Sequence, residues 1–297
     1  MHRPSIISLG EVLWDLFPEG ARFGGAPANF ACHAAVLGGD VAMVSAVGDD
    51  PRGQEAIRIL KGFGSDVGAI QIIPSVPTGS VGVALDARGK PSFTIHEDSA
   101  WDQIAWDQAL EARVRKADAV YFGSLGQRGP LSRSTIRRAL ALAAEADCPR
   151  ILDINLRAPF YDHELIRDSV ALASILKFSD DELDEVCTAW DISSNDPPAE
   201  CLARLRERAD LDLVVMTCGA EGALLVSADQ TTAQPGVATS VRDTVGAGDA
   251  FTAAFLVGLL RGDAHEVALA SANKRAAEVC SQPGAVPHRQ VHTTDQP

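Results

Sequence analysis

The sequence predicts an α/β protein with a doubly wound, mostly parallel sheet and a small β-sheet lid. Short apolar runs alternate with longer amphipathic ones along most of the 297 residues, and two strand-like segments interrupt that rhythm. Buried strands are expected at Ser5–Leu9, Val41–Val47, Ala119–Phe122, Ile151–Ile154, Ser174–Leu176 and Leu213–Met216. Helices are expected between them at Pro27–Leu37, Arg52–Phe63, Ser132–Glu145, Glu164–Ala173, Asp180–Ala189 and Ala199–Ala209. Pro27 suits a first helical turn, and Gly38-Gly39 suits a helix stop.

The interrupting segments are Val12–Phe17 and the pair Val81–Leu85 and Ser92–His96, which flank a turn at Asp86-Ala-Arg-Gly-Lys-Pro91. They are too short to bury a core of their own. A lid drawn from about residues 11–23 and 71–100, placed over the carboxyl edge of the main sheet, accounts for them. The whole chain, 1–297, is expected to form a single domain with a loose tail over 284–297.

Composition narrows the function. Hydrophobic residues make up 46% and charged residues 22%, ordinary values for a folded domain of this size. Lysine and arginine number 26 against 40 aspartates and glutamates, a formal charge of −14. With no basic run, nucleic acid and anionic membrane are disfavoured as partners. The longest apolar-rich stretch, Phe251–Leu260, is too short to span a bilayer. Glu11 arrives too early for a signal-peptide core, so a cytoplasmic protein is expected. Cys32, Cys148, Cys187, Cys201, Cys218 and Cys280 form no C-x-x-C pair and are expected as reduced thiols. His288 and His292 read as solvated tail residues.

The segment Arg242-Asp-Thr-Val-Gly-Ala-Gly-Asp-Ala-Phe251 carries the most chemistry. Gly246 and Gly248 permit a tight turn and close approach of a ligand. The free N–H groups of the first helical turn then converge on one point, an anion site. Asp249 would place a carboxylate beside that anion, which is repulsive unless a hydroxyl lies between them. Such a hydroxyl would give its proton to Asp249 while its oxygen attacks phosphorus. An acid complementing a helix dipole explains the same residue, and these residues alone leave both readings open.

Asp243-Thr-Val-Gly-Ala-Gly-Asp249 resembles the signature of the ribokinase-like (PfkB) carbohydrate kinases, and Gly24-Gly-Ala-Pro-Ala-Asn29 resembles their N-terminal signature. The order of elements and the lid agree over residues 4–287. The resemblance implies a ribokinase-like fold and transfer of the γ-phosphate of ATP, with Mg2+, to a primary hydroxyl of a sugar. It assigns Asp249 as the base and the N–H groups of Gly246, Ala247 and Gly248 as the anion hole. A helix-terminal aspartate is expected to have a low pKa, acceptable if its proton arrives late. Asp15, Gly24, Gly25 and Asn29 would line the sugar site. Asp153-Ile-Asn155-Leu-Arg157 is similar to a segment of fructokinase-like members, with Asn155 at the substrate and Arg157 reaching substrate or the γ-phosphate, although an arginine there could equally make a structural ion pair.

Lys177-Phe-Ser-Asp-Asp-Glu182 falls at the family's N-x-x-E position, with Ser179 in place of asparagine. Glu182 would position hydrated magnesium and Lys177 would approach phosphates. Ser179–Glu182 is also a fair helix cap. Thr217, Gly219 and Gly222 resemble the nucleotide loop, and Asn273 would border adenine or ribose. Asp243 and the Val245 carbonyl match a site that binds a monovalent cation such as K+ in many members.

There is no P-loop, and Gly62-Phe-Gly-Ser-Asp-Val-Gly68 has the wrong spacing for a dinucleotide fingerprint. The fructokinase-like features favour fructose, ahead of ribose, 2-keto-3-deoxygluconate and nucleosides. A non-catalytic binding protein on the same fold is the alternative of another class, although Asp249, Gly246 and Gly248 are all retained. His96, Glu97 and Asp98 lie where a lid could meet substrate. Trp101 either stacks on a sugar or fills the core. A homodimer through the lid sheet is a further expectation.

Overall fold

The computed structural model describes residues 3–85 and 91–286. Its strands are β1 Ser5–Leu9, β2 Leu13–Phe17, β3 Gly20–Gly24, β4 Asp40–Gly48, β5 Asp66–Ile73, β6 Gly79–Leu85 and β7 Pro91–Ile95. They continue as β8 Ala119–Gly123, β9 Arg150–Asp153, β10 Ile175–Ser179, β11 Leu213–Thr217, β12 Gly222–Val226 and β13 Thr231–Pro235. The helices are α1 Ala26–Val36, α2 Pro51–Phe63, α3 Gln108–Val114, α4 Pro130–Ala144 and α5 His163–Ala171. After these come α6 Leu183–Ala189, α7 Pro198–Arg208, α8 Ala247–Leu260 and α9 His265–Cys280.

Nine strands form the main sheet in the order β13-β12-β11-β10-β9-β8-β1-β4-β5. All pairs from β11 to β5 are parallel, and β12 and β13 add an antiparallel edge. Strand alternation sorts the core into two layers. Ile7, Leu9, Val120, Phe122, Leu152 and Leu176 pack with α3 to α7, whereas Ile6, Ala119, Tyr121, Ile151 and Ile175 pack with α1, α2, α8 and α9. Burial on both faces explains why these strands read as continuous apolar runs in the sequence.

From β1 the chain builds the start of the lid and then moves to β4 on one side, and it returns to β8 on the other side. Such a switch point opens a crevice between the carboxyl ends of β1 and β8, the usual place for a ligand in an open α/β sheet. The second sheet, ordered β3-β2-β6-β7, is the expected lid. Its second part begins at Gly79 and not near residue 71, because Asp66–Ile73 pairs with β4 as the edge of the main sheet. That strand is half-exposed and lacks a continuous apolar run, so its sequence gave little signal.

Two other expectations change. Gly284–Val286 are packed and do not belong to a loose tail: Ala285 is buried, its carbonyl accepts from His33 Nε2 at 2.9 Å, and Gly284 N–H donates to Asp243. The helix expected from Asp180 starts as a 3-10 turn over Asp180–Glu182, with α6 following. The turn expected over residues 86–90, the rest of the tail and His288 and His292 lie outside the described residues. All six cysteines are unpaired thiols, as expected. Among the described residues no helix is long and apolar enough to cross a membrane.

Candidate active site

Gly246 caps α8 in the left-handed conformation, φ 78°, and a Cβ there would lie 2.6 Å from Ala285. The turn therefore needs glycine both for its backbone angles and for room. It leaves the N–H groups of Gly248 and Asp249 without backbone partners at the carboxyl edge of the sheet, while Ala247 N–H donates to the Thr244 carbonyl at 3.2 Å. Asp249 stands in this first turn, 9% exposed, and Asn29 Nδ2 from α1 donates to its Oδ2 at 2.8 Å. The two motifs, 220 residues apart in sequence, are thus joined by one buried hydrogen bond.

The low pKa expected for Asp249 is corrected. Burial and the neighbouring Asp153 carboxylate push it up to about 6, outweighing the hydrogen bond from Asn29 and the charges of Lys177 and Arg157. A carboxylate with a raised pKa is a better proton acceptor than a dipole-stabilised one. Since only the ionised form accepts a proton, kcat/KM is expected to fall about tenfold per pH unit below about pH 6, and to level off above it. Asp15, pushed up to about 6 by burial, titrates in the same range. A pH profile of initial rates in a constant-ionic-strength buffer checks this.

Behind the turn lies an ion pair. Lys177 Nζ is 3.1 Å from both oxygens of Asp153, with both side chains almost fully buried. Thr252 Oγ1 lies 2.9 Å from Asp153 Oδ2 and also 2.9 Å from the Gly248 carbonyl, so the pair is tied to the first turn of α8. A Cβ on Gly248 would meet Lys177 Nζ at 3.1 Å. Burial opposes the lysine's charge, but the Asp153 carboxylate outweighs that and keeps it protonated. Lys177 therefore sits directly behind the anion hole, where its charge favours an anion in front.

Asp15 on β2 faces the same region: burial raises its pKa, and the guanidinium groups of Arg157 and Arg22 oppose the shift. Arg157 is exposed, donates to the Leu156 carbonyl at 2.9 Å, and acts electrostatically on Asp15, Glu11 and Asp249. Asn155 adopts φ 42° in the loop that carries it out of β9. Gly25 has no room for a side chain, since a Cβ would lie 2.5 Å from the Glu11 carbonyl. A Cβ on Gly24 would lie 2.8 Å from Asp15 Oδ2. A cleft of about 570 Å³ between the β2–β3 hairpin, α2 and residues 283–286 opens onto Asp15, Arg22 and Asp243. It flanks the lid, and Asp249 is not part of its lining.

On the nucleotide side, Gly219, φ 52°, is exposed with no atom within 4 Å of a Cβ, and Thr217 ends β11 beside it. Gly222 is structural, because a Cβ would lie 2.1 Å from the Gln234 carbonyl. Asn273 ties α9 to β13: both amide hydrogens go to the carbonyls of Gln234 and Pro235, at 3.1 and 3.0 Å, which leaves its Oδ1 for any nucleotide beside it. His96 is exposed with Nδ1 2.8 Å from Ser80 Oγ, and Trp101 is fully buried beneath the Arg128 guanidinium, 3.9 Å above its ring. Trp101 thus fills the core and stacks on no sugar.

Glu182 closes a capping box: Oε2 accepts from the N–H and hydroxyl of Ser179, while Oε1 accepts from Leu156 N–H at 2.7 Å. Among the described residues no group of three or more His, Cys, Asp or Glu could hold a metal ion. A single carboxylate with spare lone pairs fits a magnesium ion that keeps most of its waters and leans on phosphates. Asp243 accepts from the N–H groups of Val245 and Gly284 at 3.1 and 2.9 Å, and Arg22 already stands 3.8 Å from it.

The pattern of the pfkB family carbohydrate kinases matches residues 19–290. The chain belongs to this family. It is 32% identical over 261 residues to the fructokinase of Klebsiella pneumoniae, covering 84% of this chain and 83% of that one. It is 30% identical over 284 residues to the aminoimidazole riboside kinase of Salmonella typhimurium, covering 92% and 86%. Among solved structures, the Vibrio cholerae O395 fructokinase with bound fructose, ADP and calcium ion matches with TM-score 0.79 and 27% identity, covering 95% of this chain and 94% of that one. This pfkB carbohydrate kinase is accordingly an ATP-dependent sugar kinase, a phosphotransferase with an alcohol acceptor. Sequence reasoning gave no role to Asp153, Thr252 or Glu11. Asp153 and Glu11 sit at the carboxyl ends of buried strands, which is the signal that could have found them.

Proposed function

We propose that the chain transfers the γ-phosphate of Mg·ATP to a primary hydroxyl of fructose. The observation that carries this reading is Asp249, buried and held by Asn29 at the start of a helix whose glycine turn leaves the N–H groups of Gly248 and Asp249 without backbone partners. Bound fructose would lie under the lid between Asp15 and the α1 N-terminus, with its reacting hydroxyl on Asp249. That proton leaves for Asp249 Oδ as the sugar oxygen attacks phosphorus, and the free N–H of Gly248, joined by that of Ala247 once it releases the Thr244 carbonyl, takes up the charge of the transferring group. Lys177 behind them adds a fixed positive charge at no reorganisation. Glu182 would hold a divalent ion through water, supplying charge neutralisation to the phosphates.

The Asp15 carboxylate in the cleft beside the lid favours a neutral polyol. Carboxylates accept hydroxyl hydrogen bonds and repel anionic sugars, and the fructokinase relatives point the same way. The similarity to an aminoimidazole riboside kinase keeps a riboside as the second reading. The test is ADP release from Mg·ATP with fructose, ribose, glucose, 2-keto-3-deoxygluconate and adenosine. Fructose is expected to give a kcat/KM at least tenfold above the others. A clear preference for adenosine or ribose would replace fructose, and no turnover with any of the five by a protein that binds ATP would remove fructose as the substrate.

A further inference from the structure

His33 is an ionisable side chain sealed in the interior: it stands in the last turn of α1, is 1% exposed, and has no part in the proton transfer described above. It follows Asn29 by four residues, so the two share one face of α1. From that face Asn29 holds Asp249 in the first turn of α8, and His33 holds Ala285.

Both ring nitrogens are engaged. Arg275 Nη2 of α9 donates to Nδ1 at 3.2 Å, which puts the ring proton on Nε2, and Nε2 donates to the Ala285 carbonyl at 2.9 Å. Burial, opposed by the Ala285 bond and helped by the Arg275 charge, pushes the ring's pKa down to about 4. The ring is therefore neutral, with one tautomer fixed by its two neighbours.

The Ala285 carbonyl has a second neighbour. A Cβ on Gly246 would lie 2.6 Å from that oxygen and 2.6 Å from Ala285 Cα and Cβ, so the Gly246 backbone rests directly on Ala285. Asp243 joins the same turn to the same segment, accepting from Val245 N–H at 3.1 Å and from Gly284 N–H at 2.9 Å. The turn that opens α8 is thus seated on residues 284 and 285, and His33 fixes that seat to α1. One helix therefore reaches both halves of the reaction, the base through Asn29 and the anion hole through His33.

We propose that His33 is a positioning residue: by donating to the Ala285 carbonyl it sets where the Gly246 turn presents the Gly248 N–H to the transferring phosphoryl group. This deepens the sugar-kinase reading of the same site and rests on it. The effect falls on the transfer step, where a misplacement of about 1 Å costs on the order of 10²-fold in rate.

The test compares His33→Asn with His33→Gln. The Asn amide ends near the place of Nδ1 and can still accept from Arg275, whereas the Gln amide reaches the place of Nε2 and can donate to Ala285. Two quantities are measured: single-turnover transfer from Mg·ATP to fructose, and amide hydrogen exchange over residues 243–249, which needs no turnover. His33→Asn is expected to slow transfer about 10–100-fold, with little change in KM for ATP or fructose, and to speed the exchange. His33→Gln is expected to restore most of both. Leu140→Ala, which opens a cavity in the core layer on the other face of the sheet, is expected to lower stability without slowing transfer. Equal transfer and exchange in the Asn and Gln variants would overturn the role, and so would an equal slowing in Leu140→Ala. Exchange that separates Asn from Gln in a protein that transfers nothing to fructose would uphold the tie and strike the fructose reading.

Discussion

Asp249→Asn is expected to lower kcat by about 10²–10⁴-fold, the usual contribution of a positioned general base. The substitution keeps the volume and the helix start but removes the carboxylate to which the proton transfer is assigned. The Asn29 hydrogen bond at 2.8 Å can persist to the new amide oxygen, so the fold is retained. ATP affinity, which we assign to the end of β11, the loop around Gly219 and the turn itself, is expected to stay within about twofold, less than the worth of one hydrogen bond. Rapid-quench turnover and nucleotide titration of the same preparation separate the two effects. Near-normal turnover would remove Asp249 from its role.

The second large effect concerns the buried pair behind the turn. Lys177→Met leaves Asp153 with its charge buried and only Thr252 to answer it, and Asp153→Asn leaves the ammonium in the same position. Each is expected to destabilise the protein by about 3–5 kcal/mol, the range found when one partner of a buried ion pair is removed. The double replacement Asp153→Asn with Lys177→Met is expected to recover a large part of that loss, since neither buried charge then remains unpaired. Urea unfolding of the four proteins reads this cycle. Additive losses in the double variant would mean that the two side chains do not depend on one another.

Much of the fold was legible because parallel strands buried on both faces produce apolar runs. β1 was placed to the residue, and β4, β8 and β11 to within one residue at each end. β5, β12 and β13 were not assigned as strands: they are edge or near-edge elements, and two of them are antiparallel, so the burial that marks a central strand is weaker in them. In the site, glycine turns and the catalytic acid are local features and can be read from neighbours in sequence. Pairings across the sheet cannot. The Lys177–Asp153 pair depends on register between β9 and β10, and the raised pKa of Asp249 depends on that same carboxylate. The bonds from Asn273 to the β13 carbonyls could not be read, because β13 was itself not foreseen.

The most direct measurement is phosphorus NMR of the protein with Mg·ATP and fructose, followed until the nucleotide is consumed. The account predicts one ADP for each phosphate monoester formed, with the phosphorus coupled to the protons of a primary carbon of the sugar. Inorganic phosphate in place of the ester, or ATP left intact, would contradict it.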